Sequence, residues 1–359
     1  LCALCASAVN KNKSAIPKNP KSPSGVLLNT MSSYALTDTA IASNAPADYA
    51  GGGIASLWRR FRKNRAGVIG LAVLTTILLA SLFMPFLSPF DQNAVNPVSA
   101  FAPAGTADAL TGQVHWLGTD YLGRDTFTRL FNAGRTSLLM ALIATSAILV
   151  VGLLVGSLAG YFGGWVDSVL MRLADFMLAL PLLPMYIFSL KLIRTLPSLQ
   201  QFATDHEMIW TLGSIAGVFV LFGWMGLARL VRSSILSLRT RNYIEASRAL
   251  GANSSWIVFR HLLPNAAAPV LVAATFAAGD FIILEAVLSY FGIGIYEYSA
   301  PSWGNMLAGV QNYVWYTANL NPFQEIRGYL IFFPALMILA SVLALNYIGD
   351  ALREAIDPQ

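Results

Sequence analysis

The chain has 359 residues, 56% of them hydrophobic and only 11% charged, with a mean hydropathy of +0.59. Soluble domains carry roughly 25% charged residues, so the composition excludes a soluble globular protein and implies a polytopic membrane protein. The formal charge of +5 does not point to nucleic acid, because the basic residues form no single patch and flank apolar segments instead.

Residues 1–56 form the first segment. Their first fifty are rich in Ser, Ala, Asn and Pro, lack an apolar core or helical periodicity, and run into Gly51-Gly52-Gly53. They read as a disordered tail. The lysines follow the short apolar start instead of preceding it, so a signal peptide is not expected, and Met31 is an alternative translation start. Both cysteines, Cys2 and Cys5, lie here, so no disulfide is available to any later loop. A lone CxxC is expected to be inert.

A helix crossing the hydrocarbon needs about 20 apolar residues, and six stretches qualify. They run approximately over 66–86, 138–160, 169–190, 210–230, 266–288 and 329–348. The implied organisation is a basic lead-in and first helix (57–90), an extracytoplasmic segment (91–137), a five-helix core (138–350) and a cytoplasmic tail (351–359). With the N-terminus inside, the cytoplasmic segments carry eleven Lys and Arg between and beside the spans, against six in the longer external loops. This asymmetry predicts that both termini, and the loop at about 231–265, are cytoplasmic.

In the second span Gly152, Gly156 and Gly160 recur every four residues, as Gly213 and Gly217 do in the fourth, which permits close helix approach within the bundle or at a subunit interface. No internal duplication is evident. Asp175, Asp280 and Glu285 fall inside predicted spans, where a carboxylate costs roughly 2.5–3.5 kcal/mol. Each is therefore expected to line the pathway or to pair internally, Asp175 for example with Arg172. Asp280 and Glu285 stand about 140° apart around one helix, so they do not form an acidic pair. His115, His206 and His261 are scattered over different loops. None belongs to a zinc pattern, and His115, although near Asp120 and Asp125, is expected in a solvated external loop. No metal site and no catalytic constellation is predicted.

The loop between the fourth and fifth spans holds EASRALGANSSWIVFRHLLPN, Glu245 to Asn265, polar and helix-prone between two apolar runs. The residues predict a helix up to Leu250, a turn at Gly251, a second helix capped by Ser254 or Ser255, and a stop at Pro264. Such an elbow lies along the membrane surface, either anchored there by Trp256 and Phe259 or docked to a cytoplasmic partner.

Glu245-Ala246-Ser247, Gly251 and Leu263-Pro264 resemble the EAA loop of permease subunits of binding-protein-dependent ABC importers, with Ser247 in place of the usual Ala. WRRFRKNRAGVIGLAVL from Trp58, HWLGTDYLGRDTFTRLFNAGRTSL from His115, GYFGGWVDSVLMRLADFMLALP from Gly160, SWGNML from Ser302 and LNYIGDALREAIDP from Leu345 are similar to the C-type subunit of the dipeptide and oligopeptide branch. The resemblance covers Leu57 to the C-terminus. It implies an all-α type I (MetI-like) permease fold of six transmembrane helices, with both termini inside and a coupling helix in the cytoplasmic loop. It also implies a heterodimer with a homologous permease subunit, two cytoplasmic ATPase subunits and an extracytoplasmic substrate-binding protein. The chain has no GxxxxGK[ST] loop to cradle phosphates, so no cofactor is expected on it and ATP falls to the partner. Glu245, Ala246, Ser247, Gly251, Leu263 and Pro264 would then engage the ATPase. Nickel or a peptide-like antibiotic is the alternative cargo, and a stand-alone channel, a proton-coupled transporter or a membrane-embedded hydrolase the alternative class.

Overall fold

A computed structural model describes residues 54–108, 111–296, 300–317 and 328–356. The tail with Cys2, Cys5 and Met31 lies outside them, apart from its last three residues, which already belong to the first helix. That helix, α1 (Ile54–Phe61), is followed by α2 (Arg65–Leu87), whose N-terminus is capped by the Asn64 side chain accepting from the Gly67 N–H at 2.9 Å. Residues 88–108 and 111–125 fold into a small polar subdomain that holds, among the described residues, one 3-10 turn and a two-stranded hairpin, β1 (Thr106–Ala107) against β2 (Val114–His115). The remaining helices are α3 (Thr126–Phe162), α4 (Gly164–Ala179), α5 (Leu182–Thr195), α6 (Pro197–Asp205), α7 (Glu207–Leu238), α8 (Asn242–Ala249), α9 (Ser254–Ile257), α10 (Leu263–Tyr290), α11 (Trp303–Thr317) and α12 (Tyr329–Ile356).

Five of these helices are long and apolar enough to cross a membrane: α2, α3, α7, the run from α9 through α10, and α12. The predicted third span, 169–190, is not one helix. It is broken at Leu180-Pro181 into α4 and α5, which meet at 94°. Leu180 takes the extended conformation (φ −77°, ψ 144°) that a following proline imposes, which cannot continue a helix. At a rise of about 1.5 Å per residue, neither half alone reaches across roughly 30 Å of hydrocarbon. The second span also differs from expectation, since α3 starts twelve residues before 138. Asp125 caps it, accepting from the Thr128 N–H at 2.8 Å, and its first turns are buried in the polar subdomain and need not be apolar.

The most extensive packing is between α3 and α7. Here Gly152 faces the Leu227 side chain, Gly156 faces the Ala228 carbonyl and Val231, and Gly160 faces Ile235. Gly213 and Gly217 differ: nothing in the described chain lies within 4 Å of where their Cβ atoms would stand. The start of α2 packs on the end of α12, with Phe61, Ala351 and Ala355 forming a separate apolar cluster. These contacts put α1, the end of α12 and the α7–α10 connection at one end of the bundle. The subdomain sits at the other.

In that subdomain His115 is buried, not solvated as the sequence suggested. Its Nδ1 lies 2.9 Å from Asp125 Oδ1, its Nε2 lies 3.7 Å from Asp108, and its ring stacks on Phe90 at 4.1 Å. Asp120 turns away to Arg124, at 2.7 Å. The polar run 88–125 carries no apolar periodicity, so its burial arises from side-chain hydrogen bonding that a hydropathy profile does not register.

Candidate coupling site

The α7–α10 connection is an elbow of two short helices. α8 ends in a Schellman motif: the Ala252 N–H reaches the Ser247 carbonyl at 3.0 Å and the Gly251 N–H the Arg248 carbonyl at 2.9 Å. Gly251 has φ +81°, a left-handed conformation that costs an L-residue about 1–2 kcal/mol. The turn therefore requires glycine, and it sets the angle between α8 and α9. The second helix is preceded by Asn253, not capped by Ser254 or Ser255, and no side chain bonds its first N–H groups.

Pro264 does not stop that helix, as its type suggested. The chain passes from α9 through a π-helical segment (Val258–Leu262) straight into α10, with the Leu263 N–H bonded to the Val258 carbonyl five residues back. The wider turn accommodates at the next position a residue with no N–H to give.

Three apolar side chains hold the elbow to the bundle: Ile244, Ile257 and Leu262 are fully buried in the main core. Trp256 packs edge-on against His261 at 4.6 Å, and His261 stands 6.3 Å from Tyr243, so the rings tie the two short helices together. The Arg248 guanidinium lies over the Tyr161 ring at 5.4 Å, and Arg239 donates to the Gly160 carbonyl at 3.2 Å. Both contacts join the elbow region to the end of α3.

The opposite face is bare. Glu245 and Ala246 are exposed, Leu250 is 89% exposed, and Phe259 63%. No ion pair or side-chain hydrogen bond holds the Glu245 carboxylate among the described residues. Ser247 is half-buried, its hydroxyl turned back to the Tyr243 carbonyl at 2.8 Å. Leu263 and Pro264 sit on the first turn of α10, beyond the π segment and away from Glu245 in the chain.

The intramembrane carboxylates have three different fates. Asp175 pairs with Arg229 of α7 and not with Arg172, because α4 lies beside α7 and presents Asp175 to it; Asp167 similarly pairs with Arg232, Nη2 to Oδ2 2.6 Å. Glu285 meets no cation among the described residues. It is 1% exposed and accepts from the hydroxyls of Ser289 (2.7 Å) and Ser137 (3.3 Å), with Ser302 also bonded to it. Ser137 in turn accepts from the Trp303 N–H, and the Trp303 indole donates to the Leu130 carbonyl at 3.1 Å. Glu285 is thus the centre of a buried polar knot joining α3, α10 and α11. Asp280 is exposed and, unlike the equally exposed Asp175, has no partner among the described residues.

Residues 152–359, more than half of the chain, match the family model described as binding-protein-dependent transport system inner membrane component. The chain belongs to this family. Residues 54–104 of the permease also match the N-terminal TM domain of oligopeptide transport permease C. It is 34% identical over 311 residues to the oligopeptide transport system permease protein OppC of Bacillus subtilis (strain 168), spanning 85% of this chain and 90% of that one. It is 34% identical over 303 residues to the dipeptide transport system permease protein DppC of Alkalihalophilus pseudofirmus, spanning 84% and 88%. With the di/tripeptide transport system permease protein DppC of Pseudomonas aeruginosa (strain UCBPP-PA14) the identity is 33% over 303 residues, spanning 84% and 91%.

The permease is a multi-pass membrane protein, and the residues that seat its elbow were not singled out from the sequence. Ile244, Ile257 and Leu262 are its anchors, and Arg248 with Tyr161 its lateral contact. Apolar residues inside an otherwise polar loop were the available signal for the first three. The Arg248–Tyr161 contact spans 87 residues and left none.

Proposed function

We propose that the permease is a membrane subunit of an ATP-driven importer of di- or oligopeptides, and that an ATPase subunit grips the elbow at Glu245, Ala246 and Leu250. The observation that carries this is the division of the elbow into two faces. Ile244, Ile257 and Leu262 bury it in the main core, while the opposite face exposes a carboxylate, an alanine and a leucine with no partner among the described residues. A rigid lever with an unpartnered face transmits force; a lipid anchor needs no such rigidity. Peptide cargo is supported by the relatives' names, and ATP use on a separate subunit by the absence of a phosphate loop in this chain.

The proposed arrangement has the elbow and both termini in the cytoplasm, a homologous permease subunit alongside, and a substrate-binding protein on the subdomain side. Asp280, and Gly213 and Gly217 on α7, are the intramembrane positions left open for the second subunit or the pathway.

The test is Glu245→Ala and Ala246→Trp in the assembled transporter. Both are expected to insert normally, to lose copurification of the ATPase by roughly tenfold or more, as truncating a buried interfacial charge does, and to abolish uptake. Full uptake with either substitution rejects the docking role.

A further inference from the structure

Around α1 and the end of α12 stand six cations, Arg59, Arg60, Arg62, Lys63, Arg65 and Arg353, all exposed. None is ion-paired to a carboxylate among the described residues, and Glu354, exposed beside them, is bonded by Asn64 at 2.5 Å. Among the described residues Arg60 reaches only the Ala355 carbonyl, at 3.4 Å. Like charges crowded within a few residues repel one another, and a structure holds them together at a cost unless something anionic covers them.

The backbone sets the depth of this patch. Phe61 is buried against Ala351 and Ala355, which pins α1 to the tip of the α2–α12 pair. Val68 and Ile69, 40% and 59% exposed, stand just after Arg65 at the start of α2, a helix long and apolar enough to cross a membrane, so its apolar run begins directly beyond the cations. The cations therefore lie within about one helical turn of the hydrocarbon edge. Trp58, 49% exposed, stacks on Phe61 at 5.6 Å, and Leu57 beside it is also exposed. α1 thus exposes apolar side chains, Leu57 and Trp58, beside cations, the combination an interfacial helix uses.

We infer that α1 and the following turn form a docking surface for anionic phospholipid headgroups, with Arg59, Arg62, Lys63 and Arg65 binding the phosphates and Leu57 and Trp58 inserted among the chains. Charge complementarity and the fixed depth select lipid over a soluble anion. Each cation at an anionic surface strengthens association by on the order of fivefold, so several acting together select an anionic lipid from a mixed bilayer.

The test uses the full-length permease in phosphatidylcholine nanodiscs containing a trace of spin-labelled phosphatidylglycerol or spin-labelled phosphatidylcholine. The fraction of immobilised label is read by electron paramagnetic resonance. Phosphatidylglycerol is expected to be immobilised in excess over phosphatidylcholine. The excess should fall by roughly half or more in R59Q/R62Q/K63Q, persist in R59K/R62K, and shrink as salt shortens the screening length. Equal immobilisation of the two lipids by the wild-type chain overturns the inference, as does an undiminished excess in the glutamine variant. If that variant does not fold, the wild-type lipid comparison and its salt titration decide alone. Loss of ATPase copurification with an unchanged lipid preference assigns the patch to a protein instead and also overturns it.

Discussion

Replacing Gly156 by Ala adds one methyl group to the α3–α7 seam. The new Cβ would stand 2.5 Å from the Ala228 carbonyl oxygen and 2.6 Å from the Val231 Cβ, where ordinary contact begins at 3.4 Å. Neither neighbour can yield, since one is backbone and the other is the stem of a β-branched side chain with a restricted χ1. The two helices must therefore move apart, and over-packing of this kind costs roughly 1–3 kcal/mol. Against it stands the helix propensity of alanine over glycine, about 1 kcal/mol. The net loss is up to about 2 kcal/mol, a melting midpoint lower by up to about 4 °C at roughly 2 °C per kcal/mol. Gly217→Ala is the matched control. It makes the same chemical change on α7 where nothing lies within 4 Å, so only the propensity gain remains and the midpoint should hold or rise. Gly152→Ala should fall between, because the obstacle there is the Leu227 side chain, at 2.8 Å. The assay is thermal unfolding of the isolated chain in detergent, monitored by size-exclusion fluorescence. A Gly156→Ala chain as stable as wild type, or a Gly217→Ala chain equally damaged, refutes the packing argument.

Substituting Tyr161 by Leu removes a cation–π contact worth about 0.5–1 kcal/mol at an exposed site. If that contact carries elbow motion into α3, ATPase copurification should stay intact while uptake per ATP hydrolysed falls; unchanged coupling in proteoliposomes dismisses the contact as incidental. At the buried knot, Glu285→Gln keeps an oxygen for the serine hydroxyls and should cost little. Glu285→Ala leaves the hydroxyls of Ser137, Ser289 and Ser302 without their acceptor, at about 1–3 kcal/mol for each buried orphan, so its melting midpoint should drop well below that of the glutamine variant. Leu250→Cys, made with Cys2 and Cys5 replaced by Ser, should react with an impermeant maleimide in inside-out vesicles and not in spheroplasts. The reverse pattern places the elbow on the outer face.

Much of this permease is legible in its sequence, because a bilayer imposes a one-dimensional rule. Apolar runs of sufficient length have one stable form in lipid, a helix, so the spans of α2, α7, α10 and α12 follow from hydropathy alone. The Gly251 turn is equally local, since a left-handed residue after a run of helix formers marks a Schellman end. Hydropathy does not see where a span breaks: residues 169–190 are mostly apolar, with Arg172 and Asp175 their charges, and the Leu180-Pro181 step divides them between α4 and α5. Nor does it see where polar groups meet. The burial of His115, the partnership of Asp175 with Arg229 instead of its helical neighbour Arg172, and the serine shell of Glu285 each join residues distant in the chain. Their partners are chosen by which helices pack together, so residue type and spacing by themselves settled that these charges needed satisfying, and only the tertiary structure decided by what.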